Sequence, residues 1–242
     1  MRKLNLFMVL AVGFILVACT HQSVPKERQL AGIERSVFPV FVTGYNTSNH
    51  QQLTRAGFKT VNTADFRACS AVYVAPHLLA TSVTVFPRER DGVTMYDPDS
   101  ITILDGTTRL RASDVPFFDP ETGLALIRTD YDGVPLTLWV GPLNQTDTLK
   151  RISHTFRLSQ SGILAIPSWN IGPAVANYAV DSLFAATMFS VRTDLHPGSC
   201  GSPIIGRDGT LAGIISRRIG NNKASVIGPA SIAQALRSLS DE

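Results

Sequence analysis

Turn signals set the grain of this chain. From residue ~34 onward, apolar runs of four to eight residues recur, rich in β-branched side chains, and Pro or Asp-Gly pairs cut each one short. FPVFV, SAVYVA, LLATSVTV, SITIL, TRLRAS, GLALI and LTLWV fill the first half. GILAIP, VANYAV, LFAATMFSV, SPIIG, TLAGIIS and ASVIG fill the second. Runs of that length between turn residues read as strands. The clearest hairpin is IIGRDGTLAGII, two apolar runs around Arg207-Asp208-Gly209. Only SIAQALRSLSDE has helical spacing, with Ser231 as cap and Ile232, Leu236 and Leu239 on one face. Many short strands and one terminal helix predict an all-β domain, closed or sandwiched. The 242 residues suffice for one large all-β domain or two small ones packed together.

Composition narrows the function classes. Apolar residues make up 44% and charged residues 17%, a globular balance and not a disordered one. The net charge is +3, and Arg2 and Lys3 supply two of those charges, so the rest is close to neutral. No Lys/Arg stripe suggests nucleic acid. The densest basic spot, SRRIGNNK, reads as a solvated loop. No His/Cys cluster has zinc spacing and no Gly-rich phosphate loop occurs, so neither a metal nor a cofactor is expected.

The N-terminus reads as a targeting segment. MRK is a positive n-region, and LNLFMVLAVGFILVA is an apolar stretch short of the roughly 20 residues a spanning helix needs. It ends in LVAC, Leu16 to Cys19, which resembles the lipobox of bacterial lipoproteins. That resemblance implies cleavage before Cys19 and lipid on its sulfur. Thr20 follows the cysteine where an Asp would signal retention, which favours the outer membrane, facing the periplasm. THQSVPKERQ then reads as a polar tether. The expected organisation is a signal peptide over 1–18, lipidated Cys19 and tether over 19–33, and the folded domain over 34–242.

The chemistry concentrates in HPGSCGSP, His196 to Pro203. Gly198 lets the backbone turn so that its N–H and that of Cys200 point at one spot, an oxyanion hole. Gly201 and Pro203 hold the bend. With the following II, DG and LAGIIS, this stretch resembles the nucleophile loop of trypsin-like serine proteases, closest to the high-temperature-requirement and V8-type branches. The resemblance covers roughly residues 34–238. It implies two six-stranded antiparallel β-barrels, about 34–140 and 146–230, a C-terminal helix, and a site in the cleft between the barrels.

All three catalytic positions that the resemblance assigns depart from its pattern. The nucleophile position is Cys200. The histidine position, in LLATSVTVF, falls on Thr84. The aspartate position, in DPETGLALI, falls on Gly123. A thiol without a base has a pKa near 8.5 and is only a few per cent thiolate at neutral pH. Threonine cannot take up its proton, and glycine offers no side chain. Losing the base alone costs about 10⁶ in turnover in well-studied serine proteases. Other residues fit the vacant roles poorly. His77 lies seven residues before Thr84, at the far turn of that strand; His196 belongs on the rim; His154, His50 and His21 default to the surface. Asp119 reads as a turn residue and Asp194 as a cap of the loop.

The cysteines point the same way. With Cys19 lipidated, Cys69 and Cys200 remain in a compartment that permits disulfides. The resemblance places both on the floor of the site, which implies a Cys69–Cys200 bridge. The resulting expectation is an envelope lipoprotein with a trypsin-like domain that has lost catalysis. It binds or scaffolds a protein or peptide partner, touches the membrane through the lipid on Cys19, and does not bind nucleic acid. The alternative is an active endopeptidase with Cys200 as nucleophile.

Overall fold

The structure is a computed structural model and describes residues 32–54, 57–86, 101–141, 143, 149–158, 165–176 and 187–240. Cys19, His21 and the whole targeting segment lie outside these residues. Ile33–Glu242 forms one compact unit. Within it, twelve strands close into two antiparallel six-stranded barrels, as the resemblance implied.

The first barrel comprises β1 (Val37–Thr54), β2 (Gly57–Ala75), β3 (Leu78–Ser82), β4 (Ile101–Asp105), β5 (Thr108–Asp119) and β6 (Leu124–Thr129), in the order β1-β2-β3-β6-β5-β4. The second comprises β7 (Leu149–Leu158), β8 (Ala165–Ala176), β9 (Met188–Arg192), β10 (Pro203–Ile205), β11 (Leu211–Gly220) and β12 (Lys223–Ile227), in the order β10-β11-β12-β9-β8-β7. Alternation builds each interior. On β1, Phe38, Val40 and Val42 face inward with Cys69, Ala71 and Tyr73 of β2 and Ile101 and Ile103 of β4. In the second barrel Ala174 and Ala176, Phe189 and Val191, and Ala224 and Val226 do the same.

Several sequence expectations shift. β1 and β2 continue beyond their apolar runs and pair as far as Thr54 with Gly57. The polar stretch that extends them carried no strand signal. LTLWV forms no named strand; only Leu138 makes a bridge, to Leu211. SRRIGNNK is not a loop but the end of β11, a tight turn and the start of β12. The C-terminal helix runs Pro229–Ser240 and begins two residues before the expected cap. Proline suits that first position because its missing N–H has no partner in a helix start. Ser231 instead donates its hydroxyl to the Thr187 carbonyl at 2.9 Å. Ile232 and Ala235 are the helix's buried apolar side chains, while Leu236 and Leu239 are half-buried. Among the described residues no helix is long and apolar enough to cross a membrane.

Candidate functional site

The loop between β9 and β10 is pinned from both barrels. Ser199 N–H donates to the His196 carbonyl, and His196 N–H donates to Ser199 Oγ. Gly201 N–H donates to the Ile215 carbonyl at 2.7 Å, and Ile215 N–H returns to Ser202 O at 2.9 Å. From the first barrel, Ser70 N–H donates to the Cys200 carbonyl at 2.9 Å. Gly201 has φ +74, and a Cβ there would collide with the Ser70 carbonyl and lie 2.5 Å from Thr81 Oγ1. Only glycine permits this approach of the loop to β2. Gly198 has φ +93 and sits against the Phe156 ring and the His154 carbonyl. Among the described residues neither its N–H nor that of Cys200, the two amides the resemblance assigns to an oxyanion hole, donates to a protein group.

The turn that carries Thr84 is bonded to Gly123, and neither residue offers an imidazole or a carboxylate. β3 ends at Ser82, and Val83–Val85 form a 3₁₀ turn. Ser82 Oγ caps it by accepting Thr84 N–H at 3.1 Å, and Arg67 clamps it by donating to the Thr84 and Phe86 carbonyls. Val83 N–H donates to the Gly123 carbonyl at 2.9 Å, which ties this turn to the start of β6. The Thr84 side chain thereby lies close enough to Cys200 to act on its thiol.

The direction of the bonds follows from counting protons. Ser82 Oγ donates its one proton to the Ser216 carbonyl at 2.6 Å. It is 2.8 Å from Thr84 Oγ1, so Thr84 must donate to Ser82. The hydroxyl chain runs from Thr84 to Ser82 and ends on the Ser216 main-chain carbonyl. No member accepts a proton outright. Burial pushes the Cys200 thiol pKa up, and the Thr84 hydrogen bond opposes this more weakly.

At the third position Gly123 has φ +80, and a Cβ there would collide with Ser216 Oγ. Ser216, 5% exposed on β11, occupies the space an aspartate would need. Sequence reasoning missed Ser216 and Ser82. Their signal was local, a serine at the end of each of two apolar strands that meet across the barrels.

The expected Cys69–Cys200 bridge is not formed; both are free thiols. Cys69 points into the first barrel's core, where its Sγ lies 3.2 Å from Thr81 Oγ1. Cys200 packs against that same core from the loop side. Burial raises the Cys69 pKa to about 12, with the Thr81 hydrogen bond pulling it down and Cys200 pushing it up.

The histidines divide. His154 is not on the surface as expected. It is 4% exposed on β7, and burial lowers its pKa to about 4. Alternation along β7 puts it on the face opposite Leu149 and Arg151, and its backbone N–H donates to Ser70 Oγ of the first barrel at 3.0 Å. His77 is exposed in the β2–β3 turn with φ +61, at the opposite end of β3 from Thr84, and its Nδ1 is 3.1 Å from Tyr131 O. His196 is exposed. His50 pairs through its backbone with Val61 on the β1–β2 hairpin. His154, His77 and His196 are not among the groups that shift the Cys200 pKa. Asp119 accepts from Glu121 N–H and from Thr122 Oγ1 within its own turn. Asp194 is exposed and acts on Arg151 through charge.

Arg151 was not anticipated either. It lies on β7, 1% exposed, and donates to Ser199 Oγ at 3.2 Å and to Asn170 Oδ1. It braces the nucleophile loop from inside the second barrel. Its pKa is lowered by burial, and Asp194 offsets part of that. Among the described residues no three His, Cys, Asp or Glu side chains are grouped to hold a metal.

No protein-family model matches the chain, and no curated protein matches it. Solved structures do. The Rv3671c protease of M. tuberculosis in its active form superposes with a TM-score of 0.63 at 15% identity, covering 86% of this chain and 82% of that one. An inactive-form serine-to-alanine mutant of the same protein gives 0.60 at 15% identity, over 88% and 90%. The inactive form gives 0.58 at 15% identity, over 87% and 91%. The likeness is one of fold: the chain has the double-barrel architecture of trypsin-like proteases.

Proposed function

We propose that this chain is an envelope lipoprotein whose peptidase-like double barrel has lost catalysis and serves as a binding or scaffolding module. The observation that carries the proposal is that the position beside Cys200 holds no base: Thr84 bonds to Ser82, Ser82 donates to the Ser216 carbonyl, and burial raises the Cys200 thiol pKa. A buried thiol with a raised pKa and no base beside it stays protonated at neutral pH, and the thiolate is the nucleophile. The Cys19 lipid anchors the protein in the outer membrane, and residues 20–33 tether the domain on the periplasmic side. The partner is a protein or peptide of the envelope. It docks as an added strand on β11 beside the loop, where backbone hydrogen bonds supply affinity without chemistry.

The second reading, an endopeptidase using Cys200, draws support from the amides of Gly198 and Cys200, which donate to no protein group among the described residues. An oxyanion hole alone gives about 10³–10⁴ over the uncatalysed rate. The deciding experiment incubates purified protein with unfolded casein and peptide libraries, beside a Cys200→Ala variant. Cleavage no faster than in the variant supports the binding module. Cleavage that disappears in Cys200→Ala refutes it.

A further inference from the structure

The outer face of the second barrel carries a basic stripe that ends at an open strand edge. Lys223 on β12 pairs directly with Arg192 on β9, and Arg217 on β11 pairs with Ser225, two residues along β12. Directly paired residues of antiparallel strands project to the same face, as do residues two apart on one strand. Arg192, Lys223 and Arg217 therefore lie side by side. Arg218, paired with Ala224, starts on the other face of β11 and donates to the Gly220 carbonyl at 3.1 Å and to Asn221 Oδ1 at 3.5 Å. Arg192, Arg217 and Arg218 are exposed and Lys223 is half-buried. None of the four joins an ion pair; among the described residues, that contact is made by Arg128 and Asp114. Like charges directly opposed on a sheet are destabilising, so a ligand of opposite sign would relieve a built-in repulsion.

The second observation is the edge itself. β10 pairs with β11 only at Leu211, Gly213 and Ile214. On the side of β11 away from β12, no strand among the described residues pairs with Arg217–Gly220. This edge starts where the nucleophile loop bonds to Ile215. Ile219 lies on it, 47% exposed.

We propose that this edge binds an extended acidic peptide, with an Asp or Glu side chain pairing with Arg217 on the edge strand, Lys223 and Arg192 on the strands behind it adding their positive field, and an apolar residue covering Ile219. The inference rests on the peptide-binding reading above and names the chemistry of its partner. The unpaired backbone edge selects a peptide over an anionic lipid surface or a polynucleotide, because neither of those extends a strand.

Full-length protein in detergent would be titrated with fluorescein-labelled peptides of alternating Glu and Val, and with the same peptides carrying Gln for Glu. The Glu peptide should bind at least about tenfold tighter at low salt, with the preference fading above ~0.5 M as the charges are screened. Arg217→Gln/Lys223→Gln and Arg217→Glu/Lys223→Glu should both remove the preference while leaving thermal unfolding in place. Hydrogen exchange at Arg217–Gly220 should slow when the peptide is bound. Equal binding of the Gln and Glu peptides, with that protection retained, overturns the acidic assignment and leaves the peptide groove standing. Tighter binding of phosphatidylglycerol vesicles or single-stranded DNA, or no protection at Arg217–Gly220, overturns the peptide assignment itself. No binding by any peptide overturns this proposal together with the reading it rests on.

Discussion

Ser216 and Gly123 share one space: a Cβ at position 123 would lie 3.5 Å from the Ser216 Cβ and would collide with its hydroxyl. The hydroxyl therefore sits where an orienting carboxylate would begin. Thr84 is placed differently. It is exposed, with its Oγ1 2.8 Å from Ser82 Oγ, and it acts on the Cys200 thiol. The two substituted positions thus differ in how reversible they are.

Thr84→His should create a Cys–His pair. General-base assistance typically contributes about 10²–10⁴-fold, and about 10²-fold over the parent is expected for hydrolysis of an activated peptide ester. The gain must vanish in Thr84→His/Cys200→Ala. Gly123→Asp should add nothing to it and should destabilise the fold by about 1–3 kcal/mol, through the positive φ and the clash with Ser216.

Gly201→Ala should be among the most damaging single changes. The new Cβ strikes the Ser70 carbonyl at φ +74, and the loop must leave β2 to relieve it. A loss of more than about 3 kcal/mol in a urea melt is expected, beyond the usual range for point variants. A loss under 1 kcal/mol would show that the loop is not held by Ser70.

His154 should make stability fall in acid. Its pKa is about 4 in the fold against an ordinary 6.5, because burial disfavours the imidazolium. The unfolded chain therefore binds the extra proton first. The stabilising term is present above pH 6.5 and is lost as pH falls through 4, amounting to at most about 3 kcal/mol. His154→Gln cannot take up the proton and should flatten that limb in pH-dependent melts.

The two thiols should differ in access but share slow chemistry. Burial raises both pKa values, Cys69 to about 12. At pH 7.5, iodoacetamide should modify Cys200 more slowly than it does free cysteine and should spare Cys69 until the protein unfolds. Mass mapping under non-reducing conditions checks both, and recovery of a Cys69–Cys200 linked peptide would contradict the free thiols.

Cys19→Ser should abolish labelling by a clickable fatty acid and release the protein from membranes. Labelling that persists in the variant would remove the lipoprotein reading.

The fold was legible because closed barrels need what a linear pattern can display: short alternating apolar runs, turn residues between them, and a Gly-rich loop of fixed spacing. Gly198, Cys200 and Gly201 are local signals of that kind, as is the Arg207-Asp208-Gly209 hairpin. That Thr84 stands where the resemblance aligns a histidine was equally plain, since an absent imidazole needs no coordinates to notice. What the sequence could not express was contact between strands far apart in the chain. Ser216 filling the Gly123 site, Ser82 turning the hydroxyl chain toward a carbonyl, Arg151 bracing Ser199 and the burial of His154 each depend on how one barrel meets the other or on which face of a strand looks in. The cysteines mark the same boundary: sequence and resemblance brought Cys69 and Cys200 to one floor, and tertiary packing decided that one thiol points into the core toward Thr81 while the other answers to Thr84.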